Sequence, residues 1–382
     1  MRSRLAFNHR AEERLKKTGA REQTVPTNAS VKLDGKIAGL FARVSREFSA
    51  PKSREEMMDA RRLGLAFIAG AAAMAMSTIV GHAEVKVGIV AVNYNSPTIN
   101  RMVVTATEAA KARGWTVEDF DGQGDQVATN NAAMGFIDRG FNVIINIASP
   151  NPQMTAVIDK AKEKGIPFVS TFSGLAPGIT ADIGSNNTSD GVISATELIG
   201  RLEGKGHIVK LNWNVLPALR ERDHGFKAAL ADYPDIKVTE IEVKVPGQVD
   251  DAYNQVTNLL LANDDINAIW TGWDELVAPT VRAIEQAGKQ DKIIVASMDG
   301  IPEVFDMIRT GSPAKLTVAY DVDRMGSTAV DVAAAALEGK QPASKILTLA
   351  PCLVTKDTAP AQGEKPKFGA CVLFSGEAVA GK

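Results

Sequence analysis

Between Glu84 and Leu337 the chain alternates short, β-rich apolar runs with amphipathic segments. The runs are Val85–Ala91, Val117–Phe120, Val143–Ile147, Phe168–Thr171, His207–Leu211, Val238–Val243, Ala268–Thr271, Ile293–Ser297 and Leu316–Ala319. Among them lie Pro97–Arg113, Val127–Arg139, Pro152–Lys164, Asp190–Leu202, Ala218–Ala231, Ala252–Ala262, Glu275–Gln286 and Arg324–Leu337, each with helical apolar spacing. Strands alternating with helices at this spacing form parallel sheets covered by helices on both faces, an α/β fold. Ser96-Pro97 reads as an N-cap followed by proline at the first helical position. Gly114, Gly140, Gly165 and Gly288 each follow a helical run, where a C-terminal cap is expected.

The segment before this alternation has the pattern of a secretory signal. Arg61 and Arg62 form a basic n-region, Leu63–Val80 is an uncharged run of 18 residues, and Gly81-His82-Ala83 places small residues at the −3 and −1 positions of a cleavage site. The run is rich in Ala, Gly, Ser and Thr, which makes it weak as a permanent membrane anchor. Export with cleavage near Ala83 is therefore expected for residues 58–83. No cysteine lies near that point to carry a lipid, and Arg61-Arg62 alone does not make a twin-arginine signal. Residues 1–57 are polar and basic without sustained periodicity. Either translation starts at Met57 or Met58, or a disordered leader precedes the signal.

Residues 1–83 hold 15 Lys and Arg against 8 Asp and Glu, and the whole chain sums to −2, so residues 84–382 carry −9. An acidic mature chain is a poor partner for nucleic acid or anionic lipid. Its 299 residues suffice for two domains, each with its own core. Both cysteines, Cys352 and Cys371, lie near the C-terminus, and an exported location favours a disulfide between them over two inert thiols.

Ligands of open α/β sheets bind beyond the C-terminal ends of the strands. The segments there are Val92-Asn93-Tyr94-Asn95-Ser96, Ala148-Ser149-Pro150-Asn151, Phe172-Ser173-Gly174, Asn212-Trp213-Asn214, Gly272-Trp273-Asp274, Met298-Asp299-Gly300 and Tyr320-Asp321. They are aromatic and amide-rich with few charges, which suits a neutral polyhydroxylated ligand. The first strand–helix turn lacks G-x-G-x-x-G, and neither a Walker A motif nor a G-x-S-x-G elbow occurs. His207 and His224 have no second histidine at helical spacing, so no metal site is expected, and no cofactor. Nothing points to a carboxylate pair for sugar hydrolysis.

Two segments carry a family resemblance. Arg220-Glu221-Arg222-Asp223-His224-Gly225-Phe226 is similar to an R-E-R-x-x-G-F segment, and Val295-Ala296-Ser297-Met298-Asp299-Gly300 to a strand ending in Asp-Gly. Asn258-Leu259-Leu260, Trp273-Asp274-Glu275 and Ile166-Pro167 add weaker matches in order. From Val87 to about Lys340 the chain thus resembles the type I periplasmic binding proteins of the ribose and galactose kind, receptors that deliver sugars to ABC importers. Cytoplasmic repressors share that core but begin with a helix-turn-helix, where this chain has its signal.

The resemblance implies two doubly wound parallel-sheet lobes joined by a three-strand hinge, with ligand in the cleft. Lobe 1 would hold residues 84–185 and 320–345, and lobe 2 residues 186–319 with the tail 346–382, which latches the lobes or pads the hinge. Arg222 matches the family's ligand-contacting arginine, with a surface ion pair as its alternative role. Asp299 matches an aspartate that accepts two adjacent hydroxyls, with a helix cap as its alternative. Asn187 falls at a polar hinge position, where a helix cap is the other reading. Trp273 replaces an asparagine as a stacking platform or a core residue, and Tyr320 replaces a glutamine. Phe172-Ser173 replaces an Asp-Arg pair, and Thr98-Ile99 replaces two aromatics for which Tyr94, beside Asn95, would compensate. The expected function is a monomeric periplasmic receptor for a neutral sugar or polyol, without catalysis, serving an inner-membrane permease and its ATPase. The alternatives are a receptor presenting a sugar or autoinducer to a chemoreceptor or sensor kinase, and an exported α/β enzyme acting on carbohydrate.

Overall fold

A computed structural model describes residues 84–371. The secretory signal, its cleavage point at Ala83 and the leader before it lie outside the described residues, as does the tail beyond Cys371.

Among the described residues, twelve strands form two sheets of six. The first contains β1 (Lys86–Ala91), β2 (Thr116–Asp121), β3 (Val143–Ile147), β4 (Phe168–Thr171), β5 (Ala181–Gly184) and β11 (Ile346–Thr348), all parallel, in the order β2-β1-β3-β4-β5-β11. The second contains β6 (Gly206–Asn212), β7 (Ile236–Glu242), β8 (Ala268–Thr271), β9 (Ile294–Asp299), β10 (Ala314–Ala319) and β12 (Cys352–Thr355), in the order β7-β6-β8-β9-β10-β12. β12 runs antiparallel, against β10. The two lobes therefore repeat one doubly wound strand order, with its switch point between β1 and β3 and between β6 and β8. The central strands are buried along nearly their whole length, as a parallel sheet covered on both faces requires, while the edge strands β2 and β7 are mostly exposed or half-buried.

The helices are α1 (Pro97–Ala112), α2 (Gln126–Asp138), α3 (Thr155–Glu163), α4 (Asn187–Arg201), α5 (Pro217–Leu230), α6 (Gln248–Ala262), α7 (Val277–Gln286), α8 (Pro302–Thr310) and α9 (Val322–Leu337). The chain crosses between the sheets after β5, after β10 and after β11. The lobe boundary expected at residue 345 falls later, because β11 pairs in register with β5 and Leu349 N–H donates to Gly184 O at 2.8 Å. Lobe 1 thus returns through Thr348.

Local chemistry explains most helix ends. Asp125 caps α2 by accepting from Val127 and Ala128 N–H. Ser96 stands at the N-cap of α1, but its side chain makes no capping bond, and Pro97 at the first position has no N–H to offer. Gly140 and Gly165 turn the chain from helix into β3 and β4 with φ of 77° and 67°. Close crossings set two other glycines. A Cβ at Gly225 in α5 would lie 2.0 Å from Thr188 O of α4, and one at Gly326 in α9 would lie 2.5 Å from Met102 O of α1. The glycine of the R-E-R-x-x-G-F segment is thus the contact point of the α4–α5 pair.

Cys352 and Cys371 are joined by a disulfide across a separation of 19 residues. The segment it closes is also held by Arg309 Nη1, which donates to Pro360 O at 3.1 Å. Lys365 of that segment pairs with the Asp323 carboxylate at the start of α9, so a stretch anchored on the second sheet touches a helix that packs on the first.

Candidate functional site

The segments after β1, β3, β4, β6, β7 and β8, with the end of β9, line a cavity of about 70 Å³ between the lobes. One water requires about 10–15 Å³ on that measure, so the space suits several waters or a small ligand. Lobe 1 supplies Asn93, Ser96, Thr98, Ile99, Met102 and Phe172, and lobe 2 supplies Trp213, Leu216, Leu219, Arg222, Val245, Gln248, Trp273, Glu275 and Asp299.

Arg222 is the centre of the site. It sits in α5, is 2% exposed, and donates from Nη1 to Asp299 Oδ1 at 2.9 Å and to Gly272 O at 2.7 Å. Its Nε donates to Asn187 Oδ1 at 3.2 Å. The guanidinium carbon lies 5.5 Å from the Phe172 ring centre and 4.9 Å from that of Tyr320, so two aromatic faces flank the cation. Burial works against its charge, but Tyr320, Asp299 and Asp190 outweigh that and hold its pKa above the ordinary arginine value. Among the described residues, no protein group accepts a hydrogen bond from Nη2.

Asp299 ends β9 and joins the lobes. Its Oδ2 accepts from Thr98 Oγ1, in the first turn of α1, at 2.9 Å. Burial raises its pKa, and Arg222 and Thr98 partly offset that rise. Its φ of 132° is strained for a residue with a side chain. Ala148 and Phe172, at φ of 56° and 52°, also line the cavity. Strained backbone of this kind costs roughly 1–3 kcal/mol per residue and collects at functional sites.

Buried carboxylates shape the loops beneath. Asp274 accepts from Gly300 N–H at 2.7 Å, Ile301 N–H at 2.8 Å, Ser297 Oγ and Thr317 Oγ1, fixing the turn that carries Asp299. Asp182 does the same in lobe 1, taking Ser173 N–H and Gly174 N–H at 3.1 Å each, together with Ser170 Oγ. Burial pushes both pKa values up to about 6, with the charge of Asp299 adding to the effect on Asp274. At the cavity wall, Glu275 accepts from Gln248 Nε2 at 2.9 Å and Trp273 Nε1 at 3.3 Å, and burial raises its pKa. Gln248 Oε1 is buried without a partner.

The sequence-derived residues divide into those on the cavity and those behind it. Arg222, Asp299, Trp273 and Phe172 line it. Asn187, expected to contact ligand, instead stands behind Arg222, because α4 starts against the α5 crossing and turns its amide onto Arg222, Glu221 and Ser185. Tyr320 also lies off the cavity, stacked under the guanidinium with its hydroxyl near Asp190 but not in hydrogen-bonding geometry. Tyr94 and Asn95 are not among the residues lining this cavity either. The Tyr94 hydroxyl donates to Asp119 at 2.7 Å, and both residues line a second cavity of about 520 Å³ beside α1, α8, α9 and the Lys365 segment, which meets the first at Thr98 and Asp299 and is also lined by Tyr320. Gln248 and Glu275 are cavity residues that sequence reasoning missed as ligand contacts. Glu275 stood in the Trp273-Asp274-Glu275 match, while nothing marked Gln248.

Among the described residues, no group of three His, Cys, Asp or Glu side chains could hold a metal, and no helix is long and apolar enough to cross a membrane. The cavity instead offers one cation, two carboxylates, amides and aromatic faces from two opposed lobes.

Comparison with known proteins agrees with this architecture. A family model described as the periplasmic binding protein domain matches residues 87–341. The ribose import binding protein of Salmonella typhimurium is 25% identical over 288 residues, covering 74% of this chain and 95% of that protein. The solute-binding protein of an ABC transporter from Agrobacterium vitis, solved with bound allitol, shares the fold at a TM-score of 0.69 and 22% identity, covering 72% of this chain and 97% of its own. An ABC sugar transporter subunit from Rhodobacter sphaeroides gives a TM-score of 0.67 at 24% identity, covering 71% and 98%. With two thirds of its length inside that family model and the same two-lobed fold around one cleft, the chain belongs to the periplasmic binding protein domain family.

Proposed function

We propose that this chain is the periplasmic solute receptor of an ABC importer and binds a sugar or polyol between its lobes. The observation that carries the reading is the Thr98–Asp299–Arg222 chain of hydrogen bonds, which runs from lobe 1 into lobe 2 along the cavity wall. Thr98 and Asp299 touch only when the lobes are together, so contacts at this seam favour the closed form. A ligand held by both lobes shifts the equilibrium the same way, because only that form contacts it on two sides. The bound, closed receptor would then dock on a membrane permease served by an ATPase. In this reading the signal is removed near Ala83, the receptor acts as a monomer and the sugar leaves chemically unchanged. The role of the Salmonella typhimurium relative in ribose import and the allitol bound to the Agrobacterium vitis protein support this solute class.

The test is a thermal-shift screen of the purified chain against pentoses, hexoses, deoxy sugars and polyols, followed by calorimetry. A ligand that binds only the folded state raises the melting temperature. A rise with one such compound, recovered unaltered after incubation, is expected. A flat screen of well-folded protein, or conversion of the sugar to a product, would overturn the proposal.

A further inference from the structure

We infer that the solute is amphipathic: a sugar or polyol in which an alkyl or aryl substituent replaces part of the hydroxyl surface. This rests on the solute-receptor reading above and narrows it.

The first observation is a count of hydrogen-bonding capacity at the cavity wall. A fully hydroxylated sugar brings one O–H hydrogen per hydroxyl, and each needs an acceptor once buried. Each main acceptor already takes one protein donor, and every carboxylate or amide oxygen keeps a second lone-pair site. Asp299 takes Arg222 on one oxygen and Thr98 on the other. Glu275 takes Gln248 on one oxygen and Trp273 on the other. Asn93 Oδ1 takes Asn95 N–H at 2.9 Å. Gln248 Oε1 is the cavity-lining amide oxygen left buried without a partner. Donors are less constrained, since Arg222 Nη2 has no protein acceptor among the described residues. The remaining polar capacity is thus gathered on Asn93, Arg222, Gln248, Glu275 and Asp299, and a hydroxyl buried away from these groups would be left without a partner, which is costly.

The second observation is where the apolar wall lies. Ile99 and Met102 stand one turn apart at the start of α1, and Leu216 and Leu219 stand one turn apart at the start of α5. These two pairs, from opposite lobes, line the same cavity as Val245 and the Trp213 ring. Two apolar ridges at helical spacing close on the ligand space from both sides. Arg222, Asp299 and Gln248 supply its polar part. A substituent seated between the ridges gains burial, whereas a hydroxyl there meets only carbon.

Calorimetry on the full chain with matched pairs tests this. D-ribose, D-arabinose and D-galactose would each be compared with their methyl glycosides, phenyl glycosides and terminal-deoxy counterparts. In at least one series the substituted member should bind at least fourfold more tightly than its parent, the worth of one buried methylene. Ile99→Ser, at a half-buried position, should lower that ratio. Parents that bind as tightly as or more tightly than every substituted partner would overturn the inference and leave the receptor reading standing. Binding by no member of any series would overturn both.

Discussion

Replacing Arg222 by alanine should destabilise the chain far more than an ordinary surface substitution, and neutralising Asp299 should partly repair it. Arg222→Ala leaves Asp299 Oδ1, Gly272 O and Asn187 Oδ1 without their donor, in a place where the arginine itself is 2% exposed. Removing one member of a buried ion pair costs about 3–5 kcal/mol, because the remaining charge stays buried. Loss of the cation between the Phe172 and Tyr320 rings adds to that, though the contributions overlap. About 4 kcal/mol is the expected sum. In the double variant Arg222→Ala/Asp299→Asn the charge of Asp299 is no longer orphaned, so about 1.5 kcal/mol or more should return, the lower end of a charged hydrogen bond. The deficit of the single variant should also shrink on acidification, since protonating Asp299 removes the same orphaned charge. Urea denaturation followed by circular dichroism at pH 8 and pH 5 gives all three differences. Sugar binding should be lost in both variants. A single-variant cost below about 1 kcal/mol, as an exposed pair would give, or a double variant no more stable than the single, would refute the reasoning.

Three further outcomes follow from geometry. Asp182, Asp190 and Asp274 each have a pKa of about 6 in the folded chain against an ordinary 3.8. The folded state therefore holds more protons than the unfolded one between about pH 4 and 6, so their contribution to stability rises as pH falls through that window and is lost as it climbs. Urea midpoints at pH 7.5 and 5.0 measure this, and Asp274→Asn should remove its share of the slope; an unchanged slope would sink the assignment. Reducing Cys352–Cys371, which closes a separation of 19 residues, should cost about 3 kcal/mol in the chain-entropy model, read as a lower melting temperature in dithiothreitol. An identical melt with and without reductant would show that the bridge adds nothing. Gly225→Ala places a methyl 2.0 Å from Thr188 O and should cost at least about 1–3 kcal/mol by overpacking, with a wild-type denaturation curve as the contrary result.

The sequence made the layout of the fold readable because each lobe is built from periodic pieces. It also brought Arg222 and Asp299 forward, two residues 77 positions apart that meet at 2.9 Å. What it hid was short, or set at a different depth. β5 reads Ala-Asp-Ile-Gly, and Asp182 interrupts the apolar run because its side chain holds the turn after β4. β11 and β12 have only three and four residues, too few for a pattern. α8 has nine residues, although Pro302 at its start and Gly311 at its end were both visible. Depth explains the misplaced side chains. Asn187 and Tyr320 are near the ligand space, but one layer behind it, on the far side of Arg222. A linear chain shows which residues gather at strand ends; it does not show which of them faces the void.

The matched strand order has an electrostatic result. α1 and α5 occupy the same place in their lobes, each begins with proline, and neither has a side chain capping its first turn. Their opening turns both line the cavity. Each carries roughly half a positive charge from its aligned peptide dipoles, directed at the space between the lobes. Together with the Arg222 guanidinium these two helix ends roughly balance the carboxylates of Asp299 and Glu275. The cleft thus sets positive charge directly against its two wall carboxylates, which suits an uncharged solute. Selection in such a site rests with shape and hydrogen-bond pattern, and lobe closure should change little with salt.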